Sequence, residues 1–360
     1  MKLRILKSKA RNFFNVVLKD PRRKNMMQLF YEYSKFIVTN SVVADQYFSK
    51  YLYRKGMHNF NDYLLTEKLE YKCWKLNNPI YTSILDNKYL FEQFFSHHNL
   101  KVHKSYAYNI NSLFFTENKF IQINTIEEFK NFLLVLIKKA SDTDSIFIKK
   151  KEASCGGKGI YKLTLGDLSA NKLKLEDIFK EVIKSSYLFQ DTVVQHEQIN
   201  KLNPYCLNTI RIDTYTNNQK TSKILSSFIR LGIGKSFVDN ISSGGVLVGI
   251  NMENGTLNSE AFSDFTHGKG KTFKIHPETL CKFDDFLIPF FHEAKKLAID
   301  AAHCVSQLKV IGWDIAIQPD GPILIEGNET PGLTFSEIAQ KGFVNNPVFL
   351  EMLEEIKTMH

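Results

Sequence analysis

The segment Ile311-Gly312-Trp313-Asp314-Ile315-Ala316-Ile317-Gln318-Pro319-Asp320-Gly321-Pro322-Ile323-Leu324-Ile325-Glu326-Gly327-Asn328 constrains this chain more than any other. Two isoleucine-rich runs meet at Pro-Asp-Gly, which is the pattern of a β-hairpin. A three-residue turn over Pro319-Asp320-Gly321, with the glycine left-handed, pairs Gln318 with Pro322 and brings Asp314 opposite Glu326. Asn328 then shares their face, because side chains two apart point the same way, and Ile315, Ile317, Ile323 and Ile325 lie on the other. The expectation is a sheet covered on its apolar side and open to a cleft on its polar side. Two carboxylates and an amide on one face suit Mg²⁺, a hard ion that takes a few protein oxygens and leaves its other positions to water and phosphate.

A second segment runs from a strand at Ile146 to Lys150 through Lys151-Glu152-Ala153-Ser154-Cys155-Gly156-Gly157-Lys158-Gly159 into a strand starting at Ile160. Gly156, Gly157 and Gly159 let backbone N–H groups approach phosphate oxygens, and Ser154 adds a hydroxyl donor. A strand follows in place of a helix, so this is neither a Walker loop nor a dinucleotide turn. Alone, such a loop is as often a tight hairpin. The alternation over Asn208-Thr209-Ile210-Arg211-Ile212-Asp213 puts Arg211 with Thr209 and Asp213, and Arg230 ends a second apolar strand. Guanidinium groups grip phosphate or carboxylate bidentately, although a purely structural Arg211–Asp213 pair fits the same pattern. Downstream, Asp239, Asn240, Gly244 and Gly245 belong to a segment with the small, turn-forming composition of a substrate loop.

Composition narrows the function classes. With 43% hydrophobic and 24% charged residues the chain can bury a core, and its longest apolar run is far short of the ~20 residues that span a bilayer. The five cysteines form no CxxC pair, so neither a zinc ribbon nor a disulfide framework is expected, and a reducing, cytoplasmic setting fits. The formal charge of +9 is concentrated at one end: residues 1–24 hold nine Lys and Arg against Asp20 alone. A broad nucleic-acid-binding face is therefore disfavoured. Leu3, Leu6, Ala10, Phe13 and Val17 form an apolar helical stripe within this basic segment, so it either lies at the inner face of an anionic membrane or packs on the body.

The chain divides into a basic, aromatic-rich helical region (1–80), a first subdomain region (81–145), a loop-and-hinge segment (146–196) and a C-terminal part carrying the hairpin (197–360). Helices are expected over Asn87 to His98, with Leu90, Phe91, Phe94 and Phe95 on one face, after the capping box Thr125-Ile126-Glu127-Glu128, and from about Asp284 to Cys304. The alternation from Tyr187 to Gly249 reads as an antiparallel sheet.

In this order, the segments resemble the ATP-grasp superfamily, whose α+β fold grips ATP between two subdomains. The glycine loop is similar to its phosphate-covering flap. The resemblance implies ATP contacts from Lys88, Lys150, Ser154, Gly156, Gly157 and Gly159, a hinge at Gln195, His196 and Glu197 that takes adenine, and Mg²⁺ ligation by Asp314, Glu326 and Asn328. A closer likeness is to the sugar-transfer-associated ATP-grasp group, through Asn208-Thr209-Ile210-Arg211, Arg230 with Val238-Asp239-Asn240 and Gly244-Gly245, and His276-Pro277-Glu278-Thr279 before Ile288-Pro289. It spans about residues 85–340. Lys151 stands where the superfamily usually has proline, so Lys149 and Lys150 compete for the flap-lysine role, and a Rossmann-like strand series at the N-terminal side is missing.

The implied chemistry is ligation of a carboxylate to an amine through an acyl phosphate, with Arg211 and Arg230 holding the carboxylate and Asp239, Asn240, Gly244 and Gly245 in the substrate loop. By the same resemblance, the carboxylate is a uronic acid or its nucleotide- or lipid-linked form in cell-surface polysaccharide, or capsule, synthesis. A kinase-type ATP-grasp phosphotransferase would carry the same nucleotide site. The alternative outside enzymes is a module that binds an anionic polymer or membrane through the basic terminus.

Overall fold

The period-two patterns build two antiparallel sheets. The computed structural model describes residues 13–40, 45–117, 119–140, 143–152, 159–170, 172–234, 239–267 and 270–358. The first sheet holds β1 (Ser105–Ile110), β2 (Leu113–Thr116), β3 (Phe120–Gln122), β4 (Ser145–Lys150), β5 (Ile160–Thr164) and β6 (Tyr187–Asp191) in the order β3-β2-β1-β6-β4-β5. Ile146 and Ile148 of β4 and Phe189 of β6 pack under the helix Ile126–Lys139, against Phe129, Leu133 and Ile137. That helix starts at the expected capping box: Thr125 Oγ1 accepts from Glu128 N and the Glu128 carboxylate accepts from Thr125 N. Alternation leaves Phe147 and Lys149 on the opposite, uncovered face.

The second sheet holds β7 (Ile210–Thr216), β8 (Ser222–Leu231), β9 (Val246–Ile250), β10 (Leu257–Ser263), β11 (Thr272–Phe273), β12 (Val310–Gln318) and β13 (Gly321–Asn328) in the order β11-β10-β9-β8-β7-β12-β13. Ile210, Ile212, Ile311, Trp313 and Ile315 share a core with Ala294, Ala298 and Ala301 of the helix Phe291–Cys304. This helix begins later than the sequence suggested, since Pro289 and a left-handed Phe290 (φ 53°) precede it. The alternation over 187–249 is also not one sheet. The strand β6 joins the first sheet, β7 to β9 join the second, and the helix Glu197–Leu202 lies between them.

In the hairpin, Asp314 does face Glu326, by a different route from the one expected. The turn is two residues long, with Gln318 paired to Gly321 at φ 123°, which shifts the register by one. An extra residue at Ile325, between the Ile315–Leu324 and Asp314–Glu326 pairs, shifts it back. As a result Leu324, not Ile323 or Ile325, packs in the core with Ile315 and Ile317.

Among the described residues, the chain before Lys104 adds no strand to either sheet. It forms the helices Met26–Asn40, Asp45–Ser49, Glu67–Trp74, Ser83–Asp86 and Lys88–His97. Phe91 and Phe95 are buried, whereas Leu90, expected on the same face, is exposed. Polar clamps fix this region to the sheets. Lys50 and Glu337 form a fully buried ion pair, and Glu337 also accepts from Leu64 N and Leu65 N. Asn77 brackets the hairpin by donating to Val310 O and Glu329 O and accepting from Val310 N. Of the basic segment 1–24, residues 1–12 lie outside the described residues. The remainder packs on the body: Val17 is buried, Lys24 is buried against Glu32, and Arg22 pairs with Glu260. No helix among the described residues is long and apolar enough to cross a membrane.

Candidate active site

The uncovered face of the first sheet and the polar face of the second meet over a cavity of about 290 Å³. Phe147, Lys149, Ile160 and Lys162 line it from β4 and β5, Thr192, Val193 and Gln195 from the crossing between the sheets, and Thr209, Arg230, Asp239, Asp314, Ile325 and Glu326 from the second sheet and its loop. Lys88 and Phe91 close one side.

Asp314 is the electrostatic centre. Its Oδ1 accepts from Arg211 Nε at 2.6 Å and its Oδ2 from Arg230 Nη2 at 2.8 Å. Burial alone would push this carboxyl up, but the two guanidinium groups outweigh it and hold it well below the usual carboxylate range. Arg230 also donates to Thr209 Oγ1, which itself donates to Asp239 Oδ2 at 2.6 Å. Glu326 behaves oppositely. Burial, then the charge of Asp314, pushes its carboxyl up, and Lys88 Nζ at 3.9 Å opposes the shift. Burial also pushes the Lys149 ammonium down to about 8, with help from the charge of Lys88.

The residues fit a hard divalent ion. Asp314 and Glu326 are neighbours whose mutual repulsion raises Glu326, a cost that a cation between them would relieve. Asn328 donates from its Nδ2 to Gly312 O at 3.3 Å, which spends the donor end of the amide. No cluster of three or more His, Cys, Asp or Glu side chains is preformed among the described residues, so phosphate oxygens would have to complete such a site.

Several expected positions need correction. Lys149 lines the cavity and Lys150 does not, because alternation turns Lys150 away, against Gly159 (φ 71°). Arg211 pairs with Asp314 in place of Asp213, whose Oδ2 accepts from Ser226 and Ser336. Arg211 therefore stands behind Asp314, and only Arg230 lines the cavity. Gln195 lines the cavity, whereas the His196 ring caps the helix Glu197–Leu202 and Glu197 is exposed in its first turn. Asp239 is a lining residue. Asn240 caps the turn Ile241–Ser243, and Gly244 and Gly245 shape that loop; a Cβ on Gly245 would lie 2.6 Å from Asp239 O. Ser154, Gly156 and Gly157 lie outside the described residues.

Lining residues not singled out from the sequence include His103, Phe147 and Lys162, and Ile325 was expected on the opposite face of the hairpin. Lys162 and Phe147 could have been found by stepping two residues along each strand from Ile160 and Lys149. Ile325 could not, because only the extra residue at that position turns it to the cavity. His103 contacts Asp191 O through Nε2, and burial, then the charge of Lys149, pushes its imidazole down to about 3, so it is neutral.

The profile of a family described as sugar-transfer associated ATP-grasp matches residues 67–354. No curated protein is significantly similar to the chain in sequence. Among solved structures it is similar to the ADP complex of an N5-carboxyaminoimidazole ribonucleotide synthetase, at 11% identity and TM-score 0.39, over 70% of this chain and 46% of that one. It is also similar to the D-alanine-D-alanine ligase of Coxiella burnetii, at 12% identity and TM-score 0.43, over 78% of this chain and 59% of that one. A third is the D-alanyl-alanine synthetase A of Vibrio cholerae, at 17% identity and TM-score 0.45, over 78% of this chain and 67% of that one. The chain thus spans about half the length of the first two.

Proposed function

The chain belongs to the sugar-transfer-associated ATP-grasp family, and from that premise we propose that it is an ATP- and Mg²⁺-dependent carboxylate–amine ligase working through an acyl phosphate. The observation that supports this reading is the convergence of Lys88, Lys149, Lys162 and Arg230 with Asp314 and Glu326 on one cavity. Phe147, Ile160 and Ile325 offer the apolar walls a base needs, and the three lysines offset polyphosphate charge. Asp314, Glu326 and Asn328 would hold Mg²⁺, which when bound neutralises the β- and γ-phosphates.

Arg230, fixed by Thr209 and Asp239, is placed to orient a substrate carboxylate and to stabilise the charge that develops on transfer. Arg211 positions Asp314. A carboxylate oxygen attacks the γ-phosphorus and ADP leaves; the amine nitrogen then attacks the acyl carbon, inorganic phosphate leaves, and the amine proton passes to solvent. No enzyme nucleophile is needed. Cys206 lines the cavity, but burial pushes its thiol up to about 12, so it is no thiolate at neutral pH.

We place the carboxylate among uronic acids and their nucleotide- or lipid-linked forms, on the strength of the family's sugar-transfer association. The test is Mg²⁺-dependent ADP release measured against uronic acids and UDP-uronic acids, with and without amino acids, with the product identified by mass spectrometry. ADP release that needs both a carboxylate and an amine, and yields an amide, supports the proposal. ADP release with a stable phosphorylated product and no amine requirement would replace it with a kinase-type reaction.

A further inference from the structure

The helix Met26–Asn40 is apolar on two sides. Leu29 and Phe36 are buried on the body together with the Lys24–Glu32 ion pair. The other side exposes Met27 (84%), Phe30 (76%), Tyr31 (64%) and Val38 (80%). At about 100° of rotation per residue, all four fall within an arc of about 100°, so they form one outward stripe. Phe14, 61% exposed, precedes it in the chain. In sequence the stripe follows residues 1–24; of the nine Lys and Arg there, Arg22 and Lys24 are taken up by the ion pairs to Glu260 and Glu32 described above, which leaves seven further cations in that segment. Lys35 flanks it, exposed, on the helix itself.

We propose that this stripe docks the protein on an anionic lipid surface. A single convex helix face carrying Phe, Met, Val and Tyr suits shallow insertion parallel to a bilayer, with the Tyr31 hydroxyl at headgroup level. One apolar stripe gives weak, reversible attachment, and the neighbouring basic segment supplies the second, electrostatic signal. A second copy of the chain is a poorer occupant, because self-association through this face would bring two strongly cationic segments together. Of the terminal stripe that the sequence suggested, Val17 is buried and Leu3, Leu6 and Ala10 lie outside the described residues, so the proposal rests on the exposed face of the following helix.

The test is co-sedimentation of the full chain with vesicles of equal parts phosphatidylcholine and phosphatidylglycerol, against vesicles of phosphatidylcholine alone. Binding to the anionic vesicles at about 0.05 M salt, and release at about 1 M where screening shortens to ~3 Å, is the expected result. The combined variant Met27→Ser, Phe30→Ser, Tyr31→Ser, Val38→Ser should lower the partition coefficient at least about tenfold, since one large buried apolar side chain is worth that factor. Its ATP binding and melting temperature should stay unchanged, and Phe30→Ser alone should move partitioning in the same direction by less. Failure of the wild type to sediment at low salt overturns the proposal, as does a combined variant that binds like wild type. A dimer in sedimentation velocity that the combined variant abolishes, with no vesicle binding, would assign the stripe to a second copy. None of these results depends on the ligase chemistry.

Discussion

Exchanging Lys149 and Lys150 for Met, one at a time, tests which lysine carries nucleotide charge. Lys149 shares the cavity face with Phe147 and lies close enough to Glu326 and Lys88 to be titrated by them, whereas Lys150 turns to the other face. A lysine about 4 Å from a phosphate oxygen is worth about 4 kcal/mol at an effective dielectric of about 20. Lys88 and Lys162 can take up part of the load, which leaves a loss of about 2 kcal/mol, or roughly 30-fold in ATP affinity, for Lys149→Met. Lys150→Met should stay within about threefold, the range of a peripheral charge. The Lys149 ammonium titrates near 8 in the folded protein, against ~10.4 in the unfolded chain. Between those values the unfolded chain holds the extra proton, so this group makes the fold more stable as pH rises while nucleotide affinity falls. Calorimetric titration of ATP from pH 7 to 9.5 should therefore show affinity declining through about pH 8 in wild type and a flat profile in Lys149→Met. A profile that still declines in Lys149→Met, or a larger loss in Lys150→Met, would refute the assignment.

If Glu326 holds Mg²⁺ as proposed, Glu326→Gln should reduce turnover by about 10²-fold or more, while the melting temperature holds or rises since the buried repulsion with Asp314 is relieved. Steady-state kinetics beside calorimetric melting checks both halves. Gly312→Ala places a Cβ 2.8 Å from Pro331 Cβ and 2.9 Å from both Arg211 Nη1 and Asp213 Oδ1, so it should cost about 1–3 kcal/mol and shift Arg211, read as a melting decrease with a fall in kcat. Lys50→Met leaves Glu337 buried without its cation and should cost about 3–5 kcal/mol in denaturant unfolding. Burial already pushes Glu337 up, so that deficit should shrink as pH falls and the carboxyl takes a proton.

The part of the fold legible in the sequence is the part fixed by local period. The capping box at Thr125, the helix Lys88–His97, β4, β5 and the two strands of the hairpin follow from spacing, although the length of the hairpin turn does not. Sheet membership was not legible, because alternation reads the same in β6 as in β7, and only the tertiary crossing, tied by His196 N to Ile317 O, separates them. Arg230 at a strand end and Asp239 in its small-residue loop were picked out by composition and position, whereas Asp314 meets Glu326 only because the two-residue turn and the extra residue at Ile325 cancel. The site was misread at Lys150 because three consecutive lysines share one charge pattern while only one points inward, and at Ile325 because a two-residue turn and an extra residue cancel before Asp314. The region before Lys104 carries no period-two signal, and what docks it is a handful of buried polar contacts, such as Lys50–Glu337 and Asn77, that no pattern announces.

The arginines on Asp314 also set the order in which the site can fill. Both of its oxygens are engaged by guanidinium groups, and Lys88 stands 3.9 Å from Glu326, so the two carboxylates are already partly compensated by protein cations. A divalent cation arriving alone meets Lys88, Lys149, Arg211 and Arg230 before it gains those carboxylates, and no third acidic ligand is preformed among the described residues. A polyphosphate reverses the balance by drawing the lysines and Arg230 toward itself and adding its own oxygens to the coordination shell. Mg²⁺ should therefore bind weakly without nucleotide and tightly with it, and by linkage ATP affinity must rise by the same factor when Mg²⁺ is present. Calorimetric titrations of Mg²⁺ with and without a non-hydrolysable ATP analogue measure this directly. Arg211→Ala, which frees one oxygen of Asp314, should strengthen binding of the ion alone and narrow the difference; equal affinities in wild type with and without nucleotide would mean that Asp314 is committed to its arginines and is no part of a metal site.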